Sequence, residues 1–307
     1  MFELTIIGGG PAGTAAGVYA SRKQLKTLFV TKEWGGQSIV SEEIQNWIGT
    51  PAISGAKLAE NLKEHLHKYA GDYVTIKDNR LVYNVTKQED GFLITLDNGE
   101  TYQSKTVLVA SGSKRRQLSA LNADKFEHKG LTYCASCDGP IFAGQDVVVI
   151  GGGNAAFETA AQLLAYTKSV TLLQRGETYK ADPVTVEKVL SHPNMTGITN
   201  TEIIEILGDR FVSGISFKDK NSGEIKNLSA TGIFVEIGMI PNTGYLENIL
   251  ELDNFKRVTI DPWTQQTKTP GIWAAGDCTN ILYHQNNIAT GDAVRALEDI
   301  YVTLRTK

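Results

Sequence analysis

Leu4-Thr-Ile-Ile-Gly-Gly-Gly-Pro-Ala-Gly13 and Val147-Val-Val-Ile-Gly-Gly-Gly-Asn-Ala-Ala156 are two copies of one pattern, 143 positions apart. Each opens as a short apolar, β-branched run of the kind found in buried parallel strands. Each then turns on glycines into a stretch of helical character, Thr14 to Ala20 in the first copy and Phe157 to Ala165 in the second. In such a loop Gly8 and Gly151 permit the tight turn, Gly10 and Gly153 let the backbone reach a pyrophosphate, and Gly13 and Ala156 keep helix and strand close. The phosphates sit on unpaired N–H groups at the helix N-terminus, where the helix dipole favours negative charge. One such loop is weak evidence, since any tight strand-to-helix turn can use glycine. Two in the same context predict two dinucleotide sites.

The next strand after each loop should end at a residue that meets a ribose. After the first loop the strand Thr27 to Thr31 ends near Glu33, 20 positions past Gly13; after the second, Val170 to Gln174 ends in Gln174-Arg175. The two ribose readers therefore differ. Further strands are predicted at Thr106–Ala110, Gly232–Ile237 and Gly271–Ala275, each followed closely by glycine. Gly91 to Asp97 alternates and then turns at Asn98-Gly99, which predicts antiparallel strands beside the first sheet, and a similar meander is expected from Phe211 to Leu228. Helices are expected at about 11–22, 55–70, 154–166, 183–191 and 286–304. The fold class that follows is α/β, with two Rossmann-like dinucleotide-binding domains, the second inserted into the first. Residues 1–113 and 243–307 would form the discontinuous first domain, and 114–242 the second.

Composition narrows the function classes. The chain has 307 residues, 41% hydrophobic and 21% charged, with net charge −4, which excludes collagen, coiled coil and disorder. Nothing in that charge asks for nucleic acid or an anionic membrane. No apolar run is long enough to span a bilayer. Glu3 stands where a secretory leader carries positive charge, and the apolar run after it ends in glycines, so a cytoplasmic chain is expected. Three cysteines are no disulfide scaffold, and in a reducing compartment an odd count points to chemistry.

Cys134-Ala-Ser-Cys137 lies 14 residues before Gly151 and belongs with the second domain. Cys-x-x-Cys spacing lets two sulfurs close a small ring and commonly lowers one thiol pKa, so redox exchange is the leading reading. A structural metal needs four ligands, and neither a second Cys-x-x-Cys nor histidines at finger-like spacing exist. A static disulfide does not suit a reducing compartment. Asp138 is a candidate proton carrier beside the thiols, if burial raises its pKa; an Asp-Gly-Pro run alone is more often a turn. Cys278 has no partner in sequence and reads as a small core residue. His65 and His67 point to different faces of a helix, which argues against a metal site.

Gly8 to Gly13, Gly35-Gly36-Gln37, Asn46-Trp47-Ile48-Gly49, Cys134-Ala-Ser-Cys-Asp-Gly139, Gly151 to Ala156 and Ala275-Gly-Asp277 together resemble low-molecular-weight bacterial thioredoxin reductases, over essentially the whole chain. Cys137-Asp-Gly-Pro-Ile-Phe142, Lys180-Ala-Asp182, Ile233-Phe-Val235, Ala275-Gly-Asp-Cys-Thr279 and the ending Arg305-Thr-Lys307 are similar to the reductase part of the alkyl hydroperoxide reductase flavoprotein subunit. That subunit carries a thioredoxin-fold segment ahead of its first loop. With the loop at Gly8, the expectation is a separate thioredoxin-like acceptor.

The resemblance implies FAD, with its pyrophosphate on Gly8, Gly10, Pro11, Ala12 and Gly13 and further contacts at Glu33, Gly36, Gln37, Asn46, Val82, Gly112 and Gly276. Asp277 would lie near the ribityl chain, with Gln285 and Asn286 facing the flavin at the start of a helix whose N-terminus would stabilise the reduced, anionic ring. It also implies NAD(P)H on Gly151, Gly153, Asn154, Ala156, Glu158, Arg175, Ile237 and Gly238. Cys137 would be the sulfur nearest the flavin, Cys134 the one that attacks the partner disulfide, and Asp138 the acid/base. Trp34, Trp47, Trp263 and Trp273 are expected in the core or beside the flavin. The implied assembly is a homodimer. Its inserted domain rotates on pivots near Ser113–Arg116 and Gly238–Thr243, because cysteines and nicotinamide compete for one flavin. Lys114-Arg-Arg116 otherwise reads as a solvated basic turn.

The nicotinamide donor is open. NADPH-specific relatives carry His-Arg-Arg-x-x-x-Arg after the second strand, whereas this chain has Gln174-Arg175-Gly176-Glu177-Thr178-Tyr179-Lys180. One arginine survives, and lysine does not replace a bidentate arginine. NADH-preferring relatives place an acid where Gln174 stands, and Gln174 would accept from the ribose only weakly. The leading function is a thioredoxin-disulfide reductase using NADPH or NADH. The alternatives are a reductase feeding a peroxiredoxin through a small carrier, a ferredoxin-fed variant, and a redox sensor without turnover; the intact second loop and cysteine pair weigh against the last two.

Overall fold

Strand β1 (Phe2–Gly9) is buried from Leu4 to Ile7 on both faces, which is why its apolar run does not alternate. The computed structural model describes residues 1–41 and 43–306, so Lys307 of the ending Arg305-Thr-Lys307 lies outside the described residues. Helix α1 (Pro11–Arg22) begins on a proline, whose missing N–H costs nothing at a first helical position. It leads to β2 (Thr27–Trp34), parallel to β1. Helix α2 (Gly55–Ala70) is capped by Ser54, whose Oγ accepts from the Lys57 N–H at 3.2 Å, and leads to the edge strand β3 (Val74–Asp78). An antiparallel hairpin, β4 (Val82–Gln88) and β5 (Gly91–Leu96), continues into β6 (Thr101–Val109), which returns to lie parallel to β1 on its other side.

The chain then crosses through β7 (Ser113–Arg115) into a second unit, so Lys114-Arg-Arg116 begins as strand and not as the basic turn expected. That unit contains α3 (Ala123–Phe126), β8 (Leu131–Thr132), α4 (Ala135–Asp138), β9 (Asp146–Ile150), α5 (Asn154–Leu164), β10 (Ser169–Leu173), α6 (Pro183–Leu190) and β11 (Met195–Ile198). An antiparallel meander follows, β12 (Thr201–Gly208), β13 (Val212–Asp219) and β14 (Ile225–Ser229), before β15 (Gly232–Val235) completes a parallel sheet ordered β11-β10-β9-β15-β8. The return crossing, β16 (Met239–Pro241), pairs with β7 as a two-stranded ribbon. Back in the first unit, β17 (Ile272–Ala274) pairs parallel with β6, and α7 (Asn286–Thr306) follows. The compact units are Met1–Lys114 with Ile240 onward, and Arg115–Met239.

Each parallel sheet has an apolar core on both faces. In the first unit Leu4, Ile6, Phe29, Trp273 and Leu297 fill one core, while Ile7, Val30, Phe92, Val107 and Cys278 fill the other. In the second, Val148, Ile215 and Ile233 lie on one face and Val149, Phe157 and Phe234 on the other. Trp34 and Trp273 are buried as expected, but Trp263 is 85% exposed: it follows Pro262 in a turn, where its N–H donates to Asp261 Oδ1 at 2.8 Å. Strands β3 and β11, which the sequence pattern did not single out, are the outer parallel strands of the two sheets.

Candidate functional site

In the first loop Gly8, Gly9 and Gly13 are required by packing and Gly10 is not. Gly8 has φ +119°, and a Cβ there would lie 2.2 Å from the Ala110 carbonyl oxygen; on Gly13 it would lie 1.8 Å from the Gly8 oxygen. On Gly10 it would meet nothing nearer than Gly36 Cα at 3.8 Å. Gly10 therefore leaves a cradle that a side chain would fill. No side chain caps the first turn of α1 and no acid lies in it, so its N–H groups are left for an anion. Pro11, Ala12 and Gly13 form the buried first turn.

The other residues that the resemblance assigns to FAD gather at the carboxyl ends of β1, β2, β6 and β17. Glu33 is exposed near the end of β2, with its carbonyl accepting from Thr31 Oγ1 at 2.5 Å. Gln37 Nε2 donates to Ser113 Oγ at 3.3 Å, and Ser38 Oγ donates to Asn286 Oδ1 at 2.9 Å. Asn46 Nδ2 donates to Gln285 Oε1 at 3.2 Å, while Asn287 Nδ2 donates to the Asn46 carbonyl at 2.7 Å. The last three of these bonds tie Ser38 and Asn46 to the start of α7. Beside them His284 Nε2 is buried without a partner, a polar atom that a bound group could satisfy. Gly276 allows α1 and α7 to approach, since a Cβ there would lie 3.4 Å from Ala12 and 3.3 Å from Ala289. Asp277 is half-buried, and Gly112 has φ +61°. Val82 packs its side chain into the core, which leaves only its backbone for a ligand. An open phosphate cradle, an exposed carboxylate beyond it and an amide cluster at a helix start fit an FAD.

The second loop repeats the geometry. A Cβ on Gly151 (φ +147°) would lie 2.3 Å from the Glu236 carbonyl oxygen and 3.0 Å from Ala156 Cβ, whereas on Gly153 it would meet nothing within 4 Å. The first turn of α5 again has no side-chain cap. Asn154 Oδ1 accepts from the Asp182 N–H at 2.8 Å, and Glu158 is exposed. Gln174 departs from its expected role as a weak ribose acceptor: its Oε1 accepts from the Arg175 N–H at 2.9 Å and its Nε2 donates to the Thr178 carbonyl at 2.9 Å. The amide is buried and braces its own loop. The Arg175 and Lys180 side chains are exposed, and Lys220 adds a cation close by, with Nζ 2.9 Å from the Arg175 carbonyl. Ile237 is half-buried, and Gly238 has φ +103° with open space around it.

Cys134 and Cys137 are joined in a disulfide with Cα atoms 5.3 Å apart. Cys134 is extended, and its carbonyl accepts from the N–H groups of Cys137 at 3.3 Å and Asp138 at 3.0 Å as the chain winds into α4. Thr132 Oγ1, which no motif pointed to, donates to the Asp138 carboxylate and accepts from the Cys134 N–H at 3.3 Å. It links the acid to the backbone of the first cysteine. Gln162 of α5 holds α4 in place, donating to the Ala135 carbonyl and accepting from Ser136 Oγ, both at 3.2 Å. Because β8 runs parallel to β15 and β15 to β9, the disulfide emerges at the carboxyl end of the sheet, the end that also carries the Gly151 loop. Cys278 is fully buried, and burial pushes its thiol up to about 11, which keeps it out of exchange.

Among the described residues no group of three or more His, Cys, Asp or Glu could hold a metal ion. The His65 ring lies against Tyr69 and the His67 ring against Trp34. No helix among the described residues is long and apolar enough to cross a membrane.

Residues 2–294 match the family described as pyridine nucleotide-disulphide oxidoreductase. The NADH dehydrogenase of Bacillus subtilis is 38% identical over 295 residues, which cover 96% of this chain and 57% of that protein. An Escherichia coli alkyl hydroperoxide reductase subunit is 37% identical, over 100% of this chain and 59% of that protein. The chain thus spans little more than half the length of these relatives. Among solved structures, thioredoxin reductase from Streptococcus pyogenes superposes with a TM-score of 0.90 at 30% identity, covering 100% of this chain and 99% of that one. Thioredoxin reductase from Giardia duodenalis gives 0.93 at 29% identity, with the same coverage.

Proposed function

Because the chain belongs to the pyridine nucleotide-disulphide oxidoreductase family, we propose that it is an FAD-dependent reductase that passes electrons from NADH or NADPH to the disulfide of a thioredoxin or thioredoxin-like protein. The observation that carries this reading is the Cys134–Cys137 disulfide at the carboxyl end of the sheet, shared with the Gly151 loop. Bound FAD supplies a two-electron carrier between the nicotinamide and that disulfide. Gly8 to Gly13 hold its pyrophosphate, Glu33 accepts from its ribose, and the cluster of Gln37, Asn46, Gln285 and Asn286 orients the far end. Gly151 to Ala156, Glu158, Arg175, Ile237 and Gly238 hold the dinucleotide.

The exchange step belongs to the chain's own sulfurs. Cys134, as thiolate, attacks the partner disulfide, forming a mixed disulfide and releasing one partner thiolate. Cys137 then attacks Cys134 Sγ, which re-forms the intramolecular disulfide and releases the second partner sulfur. The partner gains two electrons and two protons, and the Cys134–Cys137 dithiol loses them. Asp138, tied to Cys134 through Thr132, takes and returns a proton.

The cysteines and the Gly151 loop share one unit, so in this reading each takes its turn at the flavin. The crossings at 113–116 and 238–243 serve as pivots, with Gly112 and Gly238 supplying positive φ where a side chain is strained. A homodimer in the cytoplasm is part of the same proposal. A second reading, in which the acceptor is a small carrier that feeds a peroxiredoxin, draws support from the likeness to the alkyl hydroperoxide reductase subunit.

Anaerobic stopped-flow absorbance at the flavin band, with NADH and NADPH in separate mixes, tests the proposal. Rapid bleaching by either, followed by turnover on oxidised thioredoxin, is expected. Absence of bleaching by both, with FAD bound, overturns it.

A further inference from the structure

Strand β9 leads through α5 to β10 on one flank, while β15 lies on its other flank. In open α/β sheets ligands bind at such a switch point, in the crevice outside the carboxyl ends of the strands. Glu236, the residue after β15, stands there. Its N–H donates to the Ile150 carbonyl at 2.8 Å, and its own carbonyl packs where a Gly151 Cβ would be, 2.3 Å away. Its side chain reaches α5, where Thr159 Oγ1 donates to Glu236 Oε1 at 3.0 Å. A dinucleotide with its pyrophosphate on Gly151 to Ala156 and its adenosine toward Gln174-Arg175 extends its other half across the switch point, over the end of β15.

We propose that Glu236 is a recognition residue for the nicotinamide nucleoside, its carboxylate accepting hydrogen bonds from the ribose hydroxyls and facing the positive charge of the oxidised ring. The proposal rests on the dinucleotide reading of the Gly151 loop given above. Burial pushes the carboxyl up to about 7; Glu158 on α5 acts in the same direction, while the Thr159 hydrogen bond and the Arg115 charge on β7 oppose it. The group therefore changes charge near neutral pH. As an acceptor it is roughly twice as strong when ionised, and only the ionised form attracts a cationic ring.

Isothermal titration of the oxidised holoprotein with NAD+, NADP+ and ADP methylated on its terminal phosphate tests this. The methyl ester carries the adenosine and a pyrophosphate esterified at both ends, as in NAD+, so its charge matches and does not change between pH 6 and 8; it lacks only the nicotinamide nucleoside, and any repulsion between Glu236 and the phosphates cancels in the affinity ratio. For the wild type the ratio of NAD+ to the methyl ester should be about three- to ten-fold higher near pH 8 than near pH 6. In Glu236→Gln it should be lower near pH 8 and flat with pH. A wild-type ratio that does not move, or a variant that keeps the wild-type pH response, overturns the proposal while leaving the dinucleotide site intact. Failure of all three nucleotides to bind overturns the dinucleotide reading, and this proposal with it.

Discussion

Gln174 accepts the backbone N–H of Arg175 on its side-chain oxygen at 2.9 Å, and its nitrogen is occupied by the Thr178 carbonyl. At the position where an acid would select NADH the chain thus presents a satisfied amide. Strong discrimination needs either an arginine clamp on the 2′-phosphate or a charge that repels it. Here one exposed arginine, Arg175, and two lysines, Lys180 and Lys220, provide attraction without a clamp. The kcat/KM values for NADH and NADPH are expected within about ten-fold of each other.

Substitution separates the two contributions. Arg175→Ala should lower kcat/KM for NADPH about ten-fold and leave NADH nearly unchanged, since a charge-assisted hydrogen bond contributes on the order of 1.5–3 kcal/mol. Gln174→Glu should favour NADH by adding repulsion toward the 2′-phosphate. Steady-state kinetics with both donors decide it; an equal loss for both in Arg175→Ala would place that side chain away from the ribose.

Gly10 and Gly13 separate cofactor binding from folding. A Cβ on Gly13 meets a backbone oxygen at 1.8 Å, so Gly13→Ala should destabilise the first unit by about 3 kcal/mol or more. Gly10 has φ −77°, which alanine adopts freely, and its Cβ would enter only the open cradle. Gly10→Ala should therefore fold like the wild type yet purify with little FAD, read from the ratio of flavin to protein absorbance. Full flavin occupancy in Gly10→Ala would remove the pyrophosphate from this loop.

Those glycines also mark what was legible in the sequence. Gly8 and Gly151 turn with φ of +119° and +147°, and Gly13 packs on the Gly8 oxygen within the same strand, turn and helix, so the loops and the helices after them could be read directly. The helices expected at about 11–22 and 55–70 are found, and the structure shows what starts them, Pro11 in α1 and the Ser54 cap in α2. The roles of Gln174 and Glu236 were not. A glutamine's partners depend on how residues 175–178 turn back, and a carboxyl's ionisation depends on burial beneath an element far along the chain. Trp263 is not in the core, although tryptophan is usually largely buried: it follows Pro262 in a turn and is exposed.

The two cysteines should fail differently from the cofactor residues. Cys134→Ser is expected to abolish turnover on a protein disulfide, by at least about a thousand-fold, because no thiolate remains to attack it. Flavin reduction by NADH or NADPH in a single turnover should stay within about two-fold of wild type, since neither the Gly151 loop nor the cradle at Gly10 contains that sulfur. Loss of both steps together would show that Cys134 is not the outer sulfur. Thr132→Val, which unlinks Asp138 from the Cys134 backbone, should slow the exchange step and shift its pH profile without altering flavin reduction.

Glu236 should also leave its mark on stability. Its carboxyl has a usual value of 4.5 and is pushed up to about 7 in the folded chain, chiefly by burial. Between those two values the unfolded chain has released the proton that the folded chain still holds. The associated stability is therefore complete below about pH 4.5 and is lost as pH rises through about 7. Glu236→Gln removes the titration, so it should gain on the wild type as pH rises from 5 to 8, by on the order of 1–2 kcal/mol once solvent screening of a half-buried group is allowed for. Thermal unfolding of both proteins across that range measures the gain. A difference between them that stays constant with pH would mean that Glu236 ionises as freely in the folded chain as in the unfolded one.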